Sequence, residues 1–293
     1  MAAEAIEPST AVVNGIRIHY ERAGAHGPLL MLLHGWPETS HCWRHLVQPL
    51  AESHVVVAPD LRGYGHSDKP LAGYDKRTMA SDLSELMRQL GFDRATVIGH
   101  DRGARVAHRW GLDRPDEVER MVVMDVLPTR EVFRRFDSEA GARMWHWTFH
   151  LQPDLPERLV GADVSGYLRF FFERQTCNRE VFDPATIDTY VRAYSAPGAL
   201  RASFDDYRAA FHVDRHQDDA DHAGGNRLTM PVRVLWGDSG NLADAPALEI
   251  WSEYATDVDG WAITQCGHYL PEERPAEVLA ALRGFLAGVR GAG

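Results

Sequence analysis

The 293-residue chain has few cysteines, no long apolar run and a shortage of positive charge, and each lack excludes something. Its three cysteines, Cys42, Cys177 and Cys266, are widely spaced and form no Cys-x-x-Cys pair. Such a set builds neither a disulfide framework nor a thiolate zinc site. It suits a reducing compartment, and a cytoplasmic protein is expected. Cys266 stands two residues before His268, yet thiols are mostly small packing groups, and it is read as one. No window approaches the ~18 consecutive apolar residues of a membrane span, and the N-terminal MAAEAIEPST has no basic stretch ahead of an apolar core. Lys and Arg total 31 against 42 Asp and Glu, a formal charge of −11. An acidic surface repels phosphate backbones and anionic lipid, so neither nucleic acid nor membrane is an expected partner. An anionic substrate would then need a local cationic site. Phosphate-cradling and dinucleotide-binding glycine patterns are missing, so no cofactor is expected. His212 and His216 are four apart, but no Glu of a His-Glu-x-x-His helix lies between them and an acidic run follows, so no metal is expected either.

What the chain does have is apolar strand. Hydrophobic residues make up 44% of it and charged residues 25%, enough for a large core. Residues 12–20 read as a hairpin turning at Asn14-Gly15. Continuous apolar runs recur at 28–33, 54–58, 95–98, 121–124, 232–236 and 260–264, the mark of strands buried on both faces. Helical patterns separate them, as at 76–90 and 103–112. This alternation predicts an α/β fold, a mostly parallel sheet with helices on both faces. From about Leu127 to Leu228 the alternation stops, and the texture becomes helical and rich in aromatics such as Trp145, Trp147, Phe171, Phe204 and Tyr207. The reading is a core of residues 1–126 and 229–293 with a helical lid inserted at 127–228 over the carboxyl edge of the sheet.

The most informative stretch is Gly99-His100-Asp101-Arg102-Gly103-Ala104-Arg105, which follows an apolar run and opens a helical pattern. It has the form Gly-x-nucleophile-x-Gly, a sharp strand-to-helix turn whose glycines relieve crowding. Asp101 holds the nucleophile position, so the attacking group is a carboxylate, which needs no base to ionise it near neutral pH. An ordinary N-cap Asp is the plain alternative. After the last apolar run comes Cys266-Gly267-His268-Tyr269, and His268 takes the general-base place in the chain order nucleophile, acid, histidine. Two carboxylates compete to orient it. Asp125 ends the run before the lid, and Asp238 lies in Trp236-Gly237-Asp238-Ser239-Gly240; Asp125 is preferred.

With these motifs the chain resembles the α/β-hydrolase superfamily over nearly its whole length. Within it, the chain resembles the haloacetate dehalogenases, the branch that includes fluoroacetate dehalogenase. The resemblance is carried by His34-Gly35-Trp36-Pro37, His100 to Arg105, Asp125-Val126-Leu127-Pro128-Thr129, Trp145-His146-Trp147-Thr148-Phe149 and Asp206-Tyr207-Arg208. It implies a triad of Asp101, Asp125 and His268 and an oxyanion hole from the backbone amides of Trp36 and Arg102. Arg102 and Arg105, three apart on one helix, can share a face beside Asp101, and planar guanidinium suits a carboxylate. The resemblance implies that they clamp the acid group, with His146, Trp147 and Tyr207 receiving the halide. The expected activity is hydrolysis of a halogenated carboxylate through an Asp101 ester, with water as co-substrate and, by family analogy, a homodimer. An epoxide hydrolase using the same aspartate is the nearest rival, with Tyr167, Tyr190 and Tyr194 as groups to polarise the epoxide. Arg102 argues against it. A silent binding protein on the same fold is the remote alternative, and intact Asp101 and His268 argue against that.

Overall fold

The computed structural model describes residues 6–290. The first five residues, part of the N-terminal stretch read above, lie outside it. Eight strands form one sheet: β1 (Glu7–Val13), β2 (Ile16–Ala23), β3 (Leu29–Leu33), β4 (Val55–Pro59), β5 (Ala95–His100), β6 (Val118–Met124), β7 (Val232–Gly237) and β8 (Val258–Ile263). Their order is β1-β2-β4-β3-β5-β6-β7-β8. β1 and β2 are antiparallel, as is the β2–β4 pair, and every other neighbour pair is parallel. The β1–β2 hairpin turns at Asn14-Gly15, both at positive φ, as a two-residue turn of that sequence requires. All residues of β3, β4 and β5 are buried, which is why the sequence shows them as unbroken apolar runs.

In the core, α1 (Val47–Ala51), α2 (Lys76–Gln89) and α3 (Asp101–Asp113) precede β6. Between β6 and β7 the chain forms helices and no strand: α4 (Thr129–Arg134), α5 (Ser138–Arg143), α6 (Trp145–His150), α7 (Leu155–Ala162), α8 (Val164–Gln175), α9 (Pro184–Tyr194), α10 (Ala199–Ala209) and α11 (Arg215–Ala223). A π-helical turn, Ala210–Asp214, joins the last two. After β7 come α12 (Ala247–Tyr254), α13 (Leu270–Glu273) and α14 (Pro275–Leu286). Two apolar clusters, one on each side of the sheet, hold the layers together. The larger is continuous with the helical insertion through Trp147, Leu168, Phe171 and Tyr207. No helix among the described residues is long and apolar enough to cross a membrane.

Candidate active site

The site begins with backbone geometry at the carboxyl ends of two neighbouring strands. Asp101 follows β5 at φ 43° and Asp125 follows β6 at φ 47°, both in the left-handed region that disfavours side chains. The Asp101 turn is possible because the residues two positions away on either side, Gly99 and Gly103, are glycines. A Cβ on Gly99 would lie 2.5 Å from Ala104 Cα, and one on Gly103 would lie 2.2 Å from the Leu33 carbonyl oxygen. Asp101 is the first residue of α3, where the N-terminal end of the helix favours negative charge.

The Trp36 N–H donates to Asp101 Oδ2 at 3.0 Å. Among the described residues, Asp101 Oδ1 accepts no hydrogen bond and is the freer of the two oxygens. The Arg102 amide, in the first turn of α3, makes no hydrogen bond to the Asp101 carboxylate. Burial alone would raise the Asp101 pKa. The nearby charges of His268, Arg102, Arg105 and His100 outweigh it and hold the carboxyl below its ordinary value.

His268 faces this carboxylate from the loop after β8. Its Nδ1 lies 2.6 Å from Asp125 Oδ2, and Asp125 Oδ1 accepts the Gly237 N–H at 3.1 Å. Asp238, the competing acid, instead accepts the Ser239 hydroxyl at 2.8 Å and the Cys266 N–H at 3.3 Å. Asp238 has no contact with His268.

A cavity of about 70 Å³ lies above Asp101, bounded among others by Trp36, Arg105, Asp125, His146, Trp147, Tyr207 and His268. It is small beside the roughly 300–1,000 Å³ of drug-sized ligand sites, so it suits a molecule of few heavy atoms. Its roof comes from α6 and α10 of the insertion. Among the described residues, neither the Trp147 indole N–H nor the Tyr207 hydroxyl has a hydrogen-bond partner. His146 is likewise unpartnered at Nδ1. Burial lowers the His146 pKa to about 3, so the ring is neutral and carries one N–H.

The two arginines are not equivalent. Arg102 is wholly buried and does not line the cavity. Its Nε donates to Asp206 Oδ1 at 3.0 Å and its Nη2 to the Asp206 carbonyl at 2.8 Å, with a further ion pair between Nη2 and the carboxylate. The guanidinium lies 4.2 Å from the Tyr207 ring centroid, and its Nη1 has no partner. Asp206 also pairs with Lys76 and accepts the Tyr64 hydroxyl at 2.7 Å. Arg105 does line the cavity. Its Nη1 donates to the Leu127 carbonyl and the Thr129 hydroxyl, both at 3.1 Å, and Nε is unpartnered. It has no carboxylate in ion-pair contact among the described residues. Burial, with Arg102 alongside, lowers its pKa to about 10, which leaves it charged at neutral pH.

The three tyrosines considered for epoxide chemistry are occupied elsewhere. The Tyr167 hydroxyl meets His150 at 2.7 Å, Tyr190 bonds Glu272, and Tyr194 donates to the Glu38 carbonyl at 3.4 Å. None bounds the cavity. In the sequence Asp206 stands only in the motif Asp206-Tyr207-Arg208, with no signal of its hold on Arg102. Glu38, which meets His100 Nδ1 at 2.8 Å, and Glu273 were not singled out at all. Both are buried carboxylates: the histidine partner of Glu38 is far away in sequence, and Glu273 joins its own loop to Cys177 and Asn178.

The strand order, the strained turn at Asp101 and the histidine loop are those of an α/β hydrolase. The α/β-hydrolase-fold family matches residues 28–275, and the chain belongs to that family. It is 40% identical to a soluble epoxide hydrolase of Corynebacterium sp. (strain C12) over 285 residues, covering 96% of this chain and 97% of the relative. It is 36% identical to a fluoroacetate dehalogenase of Burkholderia sp. over 275 residues, covering 91% and 90%. A solved structure of the epoxide hydrolase CorEH without ligand superposes with a TM-score of 0.91 at 37% identity, covering 98% of this chain and all of that one. The chain is therefore a hydrolase, and its relatives' names divide between two substrates.

Proposed function

We propose that this hydrolase is a dehalogenase of small 2-halo acids of the haloacetate type, with residues 127–228 as the lid over its site. The observation that carries the reading is the lining of one small cavity. Arg105, a cation with no carboxylate in ion-pair contact among the described residues, stands beside Asp101, and His146, Trp147 and Tyr207 offer donors that no described residue accepts. A buried cation with no carboxylate in ion-pair contact favours an anionic ligand. Unpartnered donors favour a centre that gains negative charge during reaction.

The substrate carboxylate pairs with Arg105, while Arg102, held by Asp206 outside the cavity lining, adds its positive charge from behind. Asp101 Oδ1 attacks the halogen-bearing carbon, forming a C–O bond as the halide departs with the C–X electron pair towards His146, Trp147 and Tyr207. His268, oriented by Asp125, then takes a proton from water, and the hydroxide attacks the Asp101 carboxyl carbon. The amides of Trp36 and Arg102 hold the resulting oxyanion. As the acyl C–O bond breaks, the alkoxide takes the proton from His268 and leaves as the 2-hydroxy acid, and Asp101, formed as the acid, loses its proton to return as carboxylate. The sum is haloacid plus water to hydroxy acid, halide and a proton.

The identity to the Corynebacterium enzyme favours a second reading, epoxide hydrolysis through the same Asp101 ester, with Tyr207 and neutral His146 polarising the epoxide oxygen. Arg105 has no task there. Fluoride and chloride release from the haloacetates, run beside hydrolysis of a small neutral epoxide, separates the two. Rapid halide release with slow epoxide turnover is the expected result. Epoxide turnover without halide would overturn the dehalogenase reading.

A further inference from the structure

The buried carboxylate of Glu273 has no task in the scheme above, and its surroundings are unusual. It is 6% exposed, and among the described residues no basic side chain pairs with it. Its partners are four backbone N–H groups from two segments far apart in sequence. From the histidine loop, Gly267 donates to both oxygens at 3.1 Å and Tyr269 to Oε1 at 3.2 Å. From the end of α8 in the helical insertion, Cys177 and Asn178 donate to Oε2 at 2.8 and 3.3 Å.

The same two segments also touch directly. The His268 N–H donates to the Gln175 carbonyl at 2.8 Å, and the Tyr269 hydroxyl to the Gln175 side chain at 3.1 Å. They press so closely that a Cβ on Gly267 would lie 2.2 Å from the Gln175 oxygen. On the core side, the His268 carbonyl meets His100 Nε2 at 2.7 Å. The main chain of the histidine is thus held by the insertion through its N–H and by the core through its carbonyl.

We propose that Glu273 is a positioning residue that ties the insertion to the histidine loop and serves only the hydrolytic half of the reaction. The proposal rests on the Asp101-ester reading. Displacement uses Asp101, Arg105 and the roof donors, which sit on α3, α6 and α10, and Glu273 touches none of them. Hydrolysis needs His268 held against Asp125 and aimed at the ester. A carboxylate is suited to this seam because it accepts at both oxygens, and all four of its neighbours are donors. A carboxamide would turn an NH2 group towards at least two of those donors, whichever way it faced. A loop displaced by about 1 Å can cost about 10²-fold in the step it serves.

The test is Glu273→Gln, with each variant first shown to be folded by thermal melting. The expected result on chloroacetate is a burst of one halide per active site, then turnover slowed by about 10²-fold. KM should fall in the same proportion, leaving kcat/KM within a few-fold of the parent. Intact-protein mass should show the chain heavier by one carboxymethyl group at steady state, as His268→Gln should also show. Gly267→Ala opens the same seam while Glu273 stays in place, and should give the same split. Equal losses in kcat and kcat/KM, with no burst and no alkylated protein in either folded variant, would overturn the proposal. If the unaltered protein releases no halide but opens an epoxide, the dehalogenase reading fails alone. The Glu273 split is then read with the epoxide as alkylating substrate.

Discussion

The floor and the roof of the cavity are built on opposite plans. On the floor, Asp101, Asp125 and His268 project from the ends of core strands, and their polar atoms are largely engaged. Trp36 holds one oxygen of Asp101, Gly237 and His268 hold Asp125, and the His268 main chain is held from both sides. On the roof, His146, Trp147 and Tyr207 come from helices of the insertion and offer donors that nothing among the described residues accepts. Floor atoms maintain a geometry. In the proposed reaction, the roof atoms receive charge. The two arginines repeat the contrast, since Arg102 is bound into the fold by Asp206 while Arg105 keeps no counter-ion.

That contrast can be broken in several places. The largest effect is expected at the nucleophile: Asp101→Ala should lower halide release by about 10⁴-fold or more, the scale of losing a covalent catalytic group. Substantial turnover in that variant would end the Asp101-ester scheme. Next, Asp125→Asn should cost about 10⁴-fold in kcat by leaving His268 in the wrong tautomer, while Asp238→Asn should stay near the parent rate. A large loss in the Asp238 variant would reverse the choice of acid.

The arginines should fail in different ways. Arg105→Met should raise KM for haloacetate by about 10²–10³-fold and leave a neutral epoxide little affected, since one partner of a buried charge pair is lost. Arg102→Met should instead destabilise the fold by about 3–5 kcal/mol, because it removes a partner from the buried Asp206; a denaturant titration measures this. On the roof, Tyr207→Phe should slow fluoride release by about 10²-fold, and bromide release less, because the poorer leaving group needs the donor more. Equal losses across halides would remove Tyr207 from the halide site.

A smaller effect belongs to the floor's support. Burial alone would lower the His100 pKa, but the Glu38 carboxylate 2.8 Å away wins and raises it to about 9. Since the ordinary histidine value is about 6.5, this pair contributes fully below that pH. Its contribution is lost as pH rises through about 9. His146, lowered to about 3, works in the other direction, and its contribution fades as pH falls below about 6.5. Melting temperature should therefore decline on both sides, and His100→Gln should flatten the alkaline limb.

The floor was far more legible in the sequence than the supports behind it. Strands buried on both faces announce themselves as apolar runs, and the spacing of Gly99, Asp101 and Gly103 encodes a turn that only small neighbours permit. His268 is legible from chain order alone. Arg102 was harder. Its spacing from Arg105 implied a matched pair, but helical spacing says nothing about Asp206, a hundred residues away, which claims one and not the other. Glu273 left no signal, because a carboxylate that binds backbone N–H groups imposes no residue type on its partners. The aromatic insertion showed its helices but not which tyrosine would reach the cavity. That choice is made by tertiary contacts such as His150 with Tyr167 and Glu272 with Tyr190.

The isolated positive charge of Arg105 also fixes the electrostatics of a turnover. With substrate bound, the proposed site holds Arg105 against two negative charges, one on Asp101 and one on the substrate acid. After displacement Asp101 is a neutral ester, and its charge has crossed the cavity to the halide. The total is the same before and after, so the chemical step translates a charge without creating one. Ionic strength should therefore leave kcat nearly unchanged. Entry is different, because an anion approaching a protein of net charge −11 is repelled until it reaches the buried guanidinium. Added salt screens that repulsion, and kcat/KM should rise with it, opposite to an enzyme that draws its substrate in by long-range attraction.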